Sequence, residues 1–512
     1  MRVIKNIITY IEKYFIIIIC LSTLLGSLLI TIFDAPDEMY HFQRIHDESK
    51  LNKELYIPQN TINLGIGFSD HSLVNECIAN LKCQKNPWAF DVGKLKLKDY
   101  FFDNYSENLK GAQLVTAYSG NNYFLQSNLF RFFKTINQNL LFNYYALRFS
   151  NAIIWLIINF CLIRELINFE NTYLDKLTYS VIVLIYSLPT VTFISTSLSG
   201  DSLVFASSAL FSLCFLKLKK LNSKKTILFA SIAGICLSIM TSKSVYIPIT
   251  IGLGLSLINK LKNKFSKLFF CGFYITGFIN TIYWINFSSI KVKEMYINRR
   301  GFESTKHLKN FDEIYLFIKS LFLTHLNKFD SWLREIYGVF GNGPIARLLL
   351  PNKFYIFFYL YIFFLILICV YLKRNYLFQI LIKKIRSFNL NFYQIKFKDF
   401  IFVFLSGSFL LTYIGIFYVF YIYWGRDLIL SDIQGRYFIP LIILLPLFLN
   451  LSLDLFDYKK YKKQNQKKIL ENKISDFIQD EYLIKQLIFI ACINQIVYIA
   501  NILGYYFLRF YL

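Results

Sequence analysis

Long apolar segments alternate with short polar segments along most of the chain. A helix that crosses the hydrocarbon core of a bilayer needs roughly 20 apolar residues, at about 1.5 Å per residue. Segments that reach or approach this length predict an all-α polytopic membrane protein with about 11 transmembrane helices. We place these spans near residues 14–33, 146–166, 176–197, 200–218, 225–241, 243–259, 266–288, 354–372, 400–423, 436–456 and 484–508.

The spacing of the spans predicts five successive parts of the chain. The first apolar run is long for a signal peptide, and no small-residue cleavage site follows it, so we expect an uncleaved first helix. Two segments between spans are too long for simple turns, and loops of this length are usually functional. The parts are the first transmembrane helix at 1–33, an outer loop with short helices at 34–145, spans 2–7 at 146–288, a second outer loop at 289–353, and spans 8–11 at 354–512.

Composition limits the class of protein, and the distribution of charge predicts which side of the membrane each loop occupies. Hydrophobic residues make up 55% of the sequence and charged residues only 17%, which excludes a soluble multidomain protein and a disordered chain. The net charge of +24 is concentrated in runs such as 217–225, with five Lys, and 373–398, with seven Lys or Arg. Basic loops stay on the cytoplasmic side, whereas 34–145 carries 11 basic and 12 acidic residues. We therefore predict a cytoplasmic N-terminus, an outer 34–145 loop and no nucleic-acid partner.

The first candidate site lies just after the first span, in residues 34–44. A proline directly before Asp37 favours a helix start there, and residues three or four apart on a helix share a face. Asp37, His41 and Arg44 would then present a base, a second titratable group and a phosphate-binding cation together, with Glu38 beside them. The alternative is an N-terminal cap followed by solvated charges.

Three further clusters stand at the ends of other spans. Asp201 should face protein or a watery cavity, because a charge exposed next to the bilayer core is costly, unless it is a simple helix cap. Lys243, followed by Tyr246, has no acidic neighbour in sequence. A phosphate or a carboxylate would compensate its charge, or the side chain reaches the interface by snorkelling. Gln434 and Arg436 precede the tenth span, where Arg suits bidentate phosphate recognition or interfacial anchoring.

All four clusters are predicted on the outer side of the membrane. Carboxylates and cations together suit a site where an acceptor attacks a lipid-linked phosphate substrate. The cations would hold the leaving phosphate, and a carboxylate would act as general base or bind a metal. A divalent cation, Mg or Mn, is therefore a candidate cofactor. Cys77 and Cys83 in the outer loop are either a disulfide or free thiols.

Short motifs lie near the ends of several spans: Pro36-Asp37-Glu38-x-x-His41-Phe42-x-Arg44, Arg148, Ser242-Lys243-x-x-Tyr246-x-Pro248, Tyr337-Gly-Val-Phe-Gly341 with Pro351, and Gln434-Gly435-Arg436-Tyr437-Phe438-x-Pro440. Through these motifs the chain resembles, over about residues 14–456, an uncharacterised family of bacterial membrane proteins, domain of unknown function family 2142. The stretch Gly341-Asn-Gly343 departs from the family, where a more aromatic turn is expected.

More widely, the chain resembles the GT-C glycosyltransferases, which carry an acidic motif after the first span and use polyprenyl-phosphate sugars on the outer face. The resemblance implies an inverting transferase in the bacterial cytoplasmic membrane, with a cell-envelope glycan or glycolipid as acceptor. Asp37 would be the catalytic base, Glu38 would orient the acceptor or the donor, and Asp201 corresponds to a second acid of some members. Where such an enzyme uses a metal, the resemblance implies that Asp37 and Asp201 would hold it. The substrate and its phosphate would be bound by His41, Arg44, Lys243, Tyr246, Gln434 and Arg436.

Two other classes of function stay open. A flippase or transporter of lipid-linked oligosaccharides would need charge along a central path, and spans 3 to 10 carry few charges at mid-membrane depth. A non-catalytic envelope assembly protein would use 34–145 as a binding domain. A polymerase or ligase that joins lipid-linked glycans is a close variant of the transferase.

Overall fold

The structure is a computed structural model, and its described part is helical apart from one pair of two-residue strands. It describes residues 2–29, 38–49, 119–137, 140–168, 171–219, 225–300, 311–340, 348–349, 355–363, 397–424, 428–430, 433–455 and 472–511. The predictions for Asp37, for Cys77 and Cys83, and for the departure at Gly341-Asn-Gly343 fall outside these residues.

Helices occupy both halves of the described chain. The first half contains α1 (Arg2–Leu29), α2 (Glu38–Ser49), α3 (Phe124–Ile136), α4 (Leu140–Ile167), α5 (Tyr173–Tyr186), α6 (Pro189–Ser195), α7 (Gly200–Leu218) and α8 (Lys225–Thr241). The second half contains α9 (Ile247–Lys260), α10 (Lys264–Arg300), α11 (Phe311–Gly338), a helical segment at 355–363, α12 (Phe397–Trp424), α13 (Ile439–Leu455) and α14 (Asn472–Tyr511). The strands β1 (Val339–Phe340) and β2 (Leu348–Leu349) pair antiparallel, Val339 opposite Leu349.

Five described helices are long and apolar enough to cross a membrane, and the bent pair α5–α6 is a sixth candidate if it forms one span. The five candidate segments are Phe142–Ile167, Gly200–Leu218, Lys264–Asn286, Val403–Ile422 and Leu483–Gly504. Described helices overlap each of the predicted spans. Several of them are shorter than a span, so the total of about 11 stays a prediction.

The bend of 71° between α5 and α6 has a local cause. Pro189 is the first residue of α6, and a proline ring there removes a backbone donor and fixes the backbone for a new helix start. Gln495 of α14 reaches the break and donates to Ser187 O and Thr192 Oγ1, each at 2.7 Å. The break is therefore stabilised by a side chain from another helix.

α7 is the most enclosed of the candidate spans in the described part of the chain. Its N-terminus is capped by Ser199, whose hydroxyl accepts from Asp201 N at 3.2 Å. α7 packs on α8, which in turn packs closely on α10. A Cβ placed on Gly234 of α8 would lie 2.7 Å from Phe270 O, so glycine permits this close approach. The first turn of α7, with Asp201, is buried as well.

Candidate functional site

A buried ion cluster lies at the N-terminal end of α7. Asp201 Oδ1 accepts a hydrogen bond from Lys243 Nζ, and Asp201 Oδ2 lies 3.6 Å from Arg436 Nε. None of the three side chains is more than 8% exposed. Lys243 stands in the turn after α8, and Arg436 in a 3-10 turn, Gly435–Phe438, before α13. Of the two partners considered for Lys243, the structure shows the carboxylate.

Tyr437 links the two turns that carry the cations. Its ring centroid lies 5.8 Å from Lys243 Nζ and 5.5 Å from Arg436 Cζ, distances at which a cation is attracted by the ring. Tyr246 Oη donates to Tyr437 O at 2.8 Å. Gln434 N-caps the 3-10 turn, and its carbonyl accepts from Tyr437 N at 3.1 Å. Tyr246 and Gln434 thus hold the backbone beside the cluster.

α11 supports the Arg436 turn from the other side. Gly435 N donates to Glu335 Oε2 at 2.5 Å, and Trp332 Nε1 donates to Ile433 O at 2.8 Å. These bonds satisfy backbone groups that would otherwise be buried without partners. Neither Glu335 nor Trp332 was predicted, since nothing in the amphipathic pattern of α11 marks them.

His41 of α2 lies beside the first residue of α7. Its Nδ1 is 2.8 Å from Tyr123 Oη. A Cβ added to Gly200 would meet His41 Cε1 at 2.7 Å and Asn122 Nδ2 at 2.8 Å, so only glycine permits this packing. Asn122 Nδ2 also donates to Gly200 O at 3.0 Å. The imidazole is therefore held next to Asp201.

Glu38 is the partner of Arg148, a motif residue to which the sequence assigned no role. Arg148 Nε donates to Glu38 Oε1 at 2.8 Å and Nη2 to Oε2 at 2.5 Å, and both side chains are fully buried. Leu198 N donates to Glu38 Oε1 at 2.9 Å. Both oxygens of Glu38 accept hydrogen bonds from the protein, so this carboxylate holds α2 in place. Its predicted role of orienting the acceptor or the donor stays a prediction. The pair ties α2 to α4 and to the turn before α7.

The described contacts of Arg44 are separate from the ion cluster. Its Cζ lies 4.5 Å over the Trp284 ring of α10 and 6.0 Å from the Tyr123 ring centroid. Its Nη2 lies 2.6 Å from Glu48 Oε1, one helical turn along α2. Arg44 therefore already has a carboxylate and an aromatic face as neighbours.

Sequence reasoning missed the loop Ser119–Tyr123. The residues from Tyr118 to Tyr123 include Ser, Gly and two Asn, which is ordinary turn chemistry. In the structure this loop contacts α2, α7 and α10 and the turn after α8. The turn composition was the only available signal, and it gave no hint of these partners.

The described residues do not form a metal centre. No group of three or more His, Cys, Asp and Glu side chains there could hold a metal ion. Both oxygens of Asp201 face cations, so a divalent ion would have to displace Lys243 or Arg436, and the geometry at Asp201 does not fit one. Metal binding by Asp37 stays a prediction.

A family model described as predicted membrane protein, DUF2142, matches residues 20–445, more than half of the chain. The chain belongs to this family. The match confirms the family resemblance and contains every residue of the ion cluster, of the Glu38–Arg148 pair and of the loop Ser119–Tyr123. No curated protein and no solved structure matches the chain. The family description supports a membrane protein with several apolar helices.

Proposed function

We propose that this family member is a GT-C-like, inverting glycosyltransferase with about 11 spans. It takes a sugar from a polyprenyl-phosphate donor and transfers it to a cell-envelope glycan or glycolipid. The N-terminus is cytoplasmic, and the reaction takes place on the outer face of the bacterial cytoplasmic membrane. The observation that carries the proposal is the convergence of Asp201, Lys243 and Arg436 in one buried cluster. Charge is costly at the edge of the bilayer core, and where it persists it usually serves a function.

Lys243 and Arg436 hold the phosphate of the donor. A guanidinium offers two parallel donors that match phosphate geometry, and an ammonium adds a point charge. Asp201 keeps the two cations together before the donor binds, so that little reorganisation is needed when charge develops on the leaving phosphate. Tyr246 and Gln434 hold the turns on which the cations stand.

Asp37 accepts the proton of the acceptor hydroxyl. The acceptor oxygen then forms a bond to the anomeric carbon while the bond from that carbon to the phosphate oxygen breaks. The polyprenyl phosphate leaves with the bonding electron pair, and its charge is met by Lys243 and Arg436. Attack from the face opposite the phosphate inverts the anomeric centre. Glu38 anchors the helix that follows Asp37, and His41 positions that helix against Gly200.

The test is transfer by the purified full chain in lipid nanodiscs. The probes are polyprenyl phosphates that carry radiolabelled glucose, mannose or N-acetylglucosamine, with total membrane glycolipid as acceptor. We expect wild type to release polyprenyl phosphate from at least one donor. Asp37→Asn should lower the rate about 10²–10⁴-fold, the usual contribution of a general base. Arg436→Lys, which keeps the charge but loses the paired donors, should raise the KM for the donor.

Asp34→Asn is the matched control, since it removes a carboxylate from the same short segment and should leave the rate unchanged. Thermal unfolding of each variant shows whether it is folded. The proposal fails if wild type releases no polyprenyl phosphate from any donor, or if folded Asp37→Asn transfers as fast as Asp34→Asn.

A further inference from the structure

Three buried polar atoms near the loop Ser119–Tyr123 have no hydrogen-bond partner among the residues that the structure describes. They are Arg44 Nε, Asn122 Oδ1 and Ser242 Oγ. The three residues are 6%, 0% and 1% exposed. The loop joins them: Ser119 N donates to Ser242 O at 3.3 Å, and the Tyr123 ring lies 6.0 Å from Arg44 Cζ. Buried polar groups without partners are unfavourable, so a ligand that pairs them is favoured.

The chemistry of these atoms selects the ligand. Arg44 Nε only donates, Asn122 Oδ1 only accepts, and the Ser242 hydroxyl does either. The orientation of the Asn122 amide follows from its neighbour, because its Nδ2 donates to Gly200 O at 3.0 Å and a flipped amide would face oxygen with oxygen. A phosphate oxygen cannot pair with Asn122 Oδ1, since both are acceptors. A hydroxyl group both donates and accepts, so it is able to pair with each of these three kinds of atom.

The charges around Arg44 also favour a neutral ligand over a phosphate. Glu48 Oε1 lies 2.6 Å from Arg44 Nη2 and compensates the guanidinium within α2. A ligand beside Arg44 therefore needs no negative charge of its own. This separates Arg44 from the phosphate-binding role predicted for it and leaves the phosphate to the ion cluster.

Hydrogen-bonded asparagine side chains connect the protein surface to the loop. Asn280 is exposed, and its Nδ2 donates to Oδ1 of the half-buried Asn121 at 2.6 Å. Asn121 Nδ2 in turn donates to Gly277 O at 2.8 Å. Trp284 lies one turn beyond Asn280 on α10, beneath Arg44. Amides next to an aromatic ring suit a sugar, which offers hydroxyl groups at its rim and an apolar face.

We propose that the loop Ser119–Tyr123, together with Arg44 and Ser242, binds a neutral sugar ring. The inference rests on the proposed function in one respect, that this sugar is either the acceptor or the sugar of the donor. In both cases the bound group is a neutral ring that carries hydroxyl groups. The bound sugar would lie next to the Asp201 cluster, because His41 contacts both Tyr123 of the loop and Gly200, the residue before Asp201.

The experiment measures sugar binding without turnover. The full chain in nanodiscs is mixed in turn with glucose, galactose, mannose and N-acetylglucosamine, and binding is followed by saturation-transfer difference NMR. At least one sugar should receive saturation from wild type. Ser242→Ala and Arg44→Lys should each weaken its binding about threefold to tenfold, the effect of one lost hydrogen bond. Ser242→Ala removes a hydroxyl that has no hydrogen-bond partner among the described residues, so the variant should fold normally.

Ser195→Ala is the matched control. Ser195 is also a buried serine, but its hydroxyl lies near the Tyr186 hydroxyl, and no described contact joins it to the loop. Its removal should leave sugar binding unchanged. The inference is overturned if wild type transfers saturation to none of the sugars, or if Ser242→Ala and Arg44→Lys bind as tightly as Ser195→Ala. Internal water would then be the partner of the three atoms.

Competition identifies the source of the sugar. If a polyprenyl-phosphate sugar displaces the bound monosaccharide, the site holds the sugar of the donor. If both bind together, it holds the acceptor, and either result supports the inference. Intact sugar binding in a protein that transfers nothing would refute the proposed function and leave the sugar site standing.

Discussion

The two ends of α7 carry the same kinds of charge in different surroundings. At its N-terminal end Asp201 meets Lys243 and Arg436, and none of these side chains is more than 8% exposed. Near its C-terminal end Lys217 Nζ lies 2.8 Å from Glu165 Oε1, and the Lys217 side chain is 29% exposed. The two positions are roughly 24 Å apart along the helix. Both ends of α7 thus pair a carboxylate with a lysine, and the two pairs differ in how far their side chains are buried. A difference in their effect on stability would therefore come from burial and not from the type of charge.

The polar groups around the two ends also differ. Near Lys217, Asn450 accepts from Lys219 Nζ at 2.6 Å and donates to Asp175 Oδ1 at 3.2 Å and Thr178 Oγ1 at 2.9 Å. Its amide thus closes a network between helices. Near Asp201, Asn122 Oδ1 of the loop Ser119–Tyr123 and the neighbouring Arg44 Nε and Ser242 Oγ have no hydrogen-bond partner in the described part of the chain. A network that is fully paired holds a fold together, whereas one with open positions is suited to a ligand.

The largest expected effect compares the same substitution at the two ends. Lys243→Gln leaves Asp201 buried with a weaker partner and should lower the free energy of unfolding by about 3–5 kcal/mol. Lys217→Gln should lower it by at most about 1 kcal/mol, because that pair is partly solvated. Denaturant unfolding in detergent micelles measures both. Equal losses would mean that burial does not decide the strength of these pairs.

A smaller effect tests how closely α2 and the loop approach α7. Gly200→Ala should destabilise by about 1–3 kcal/mol, because the new methyl group overlaps His41 and Asn122. Gly272→Ala in α10 is the control, since nothing lies within 4 Å of a Cβ there. It should stabilise by about 0.5–1 kcal/mol through helix propensity. If both substitutions stabilise the protein, His41 does not pack where the structure places it.

The smallest effect is the response to salt. A double-mutant cycle of Glu165→Gln and Lys217→Gln should give a coupling of about 0.2–1 kcal/mol in dilute buffer. The coupling should fall in 1 M salt, where the screening length is about 3 Å. The corresponding cycle of Asp201→Asn and Lys243→Gln should keep its coupling, because salt does not reach buried charges. A salt-sensitive coupling at Asp201 would show that water enters the cluster.

The sequence predicted some elements closely for clear physical reasons. α7 and α8 coincide with the predicted spans 200–218 and 225–241, because turn residues and lysine runs bound their apolar segments. The buried position of Asp201 agrees with the high cost of a charge exposed to lipid. Its partners could not be predicted, since hydropathy does not report helix rotation or which helices are neighbours. For the same reason the partner of Lys243 was left open between a phosphate and a carboxylate.

The acidic box after the first span shows a different limit. Asp37 and Glu38 are adjacent and chemically alike, so sequence alone does not reveal which carboxylate is held by another helix. Glu38 is held by Arg148, 110 residues away. The loop Ser119–Tyr123 escaped prediction because its residues are those of an ordinary turn. Long-range pairing, which local patterns do not encode, therefore limits the prediction of the site more than that of the helices.

The pairing of Asp201 with Lys243 has a consequence for biogenesis. The two residues are only 42 positions apart and flank the hairpin of α7 and α8, so the hairpin contains its own counter-ion. An unpaired charge raises the insertion free energy of a membrane helix, by about 2.5–3.5 kcal/mol at the helix centre and by less at a helix end, where Asp201 and Lys243 lie. A hairpin that leaves the translocon as one unit can neutralise both charges internally before the later helices are synthesised. Because Arg436 is synthesised much later than Lys243, we expect it to join a charge pair that is already in place.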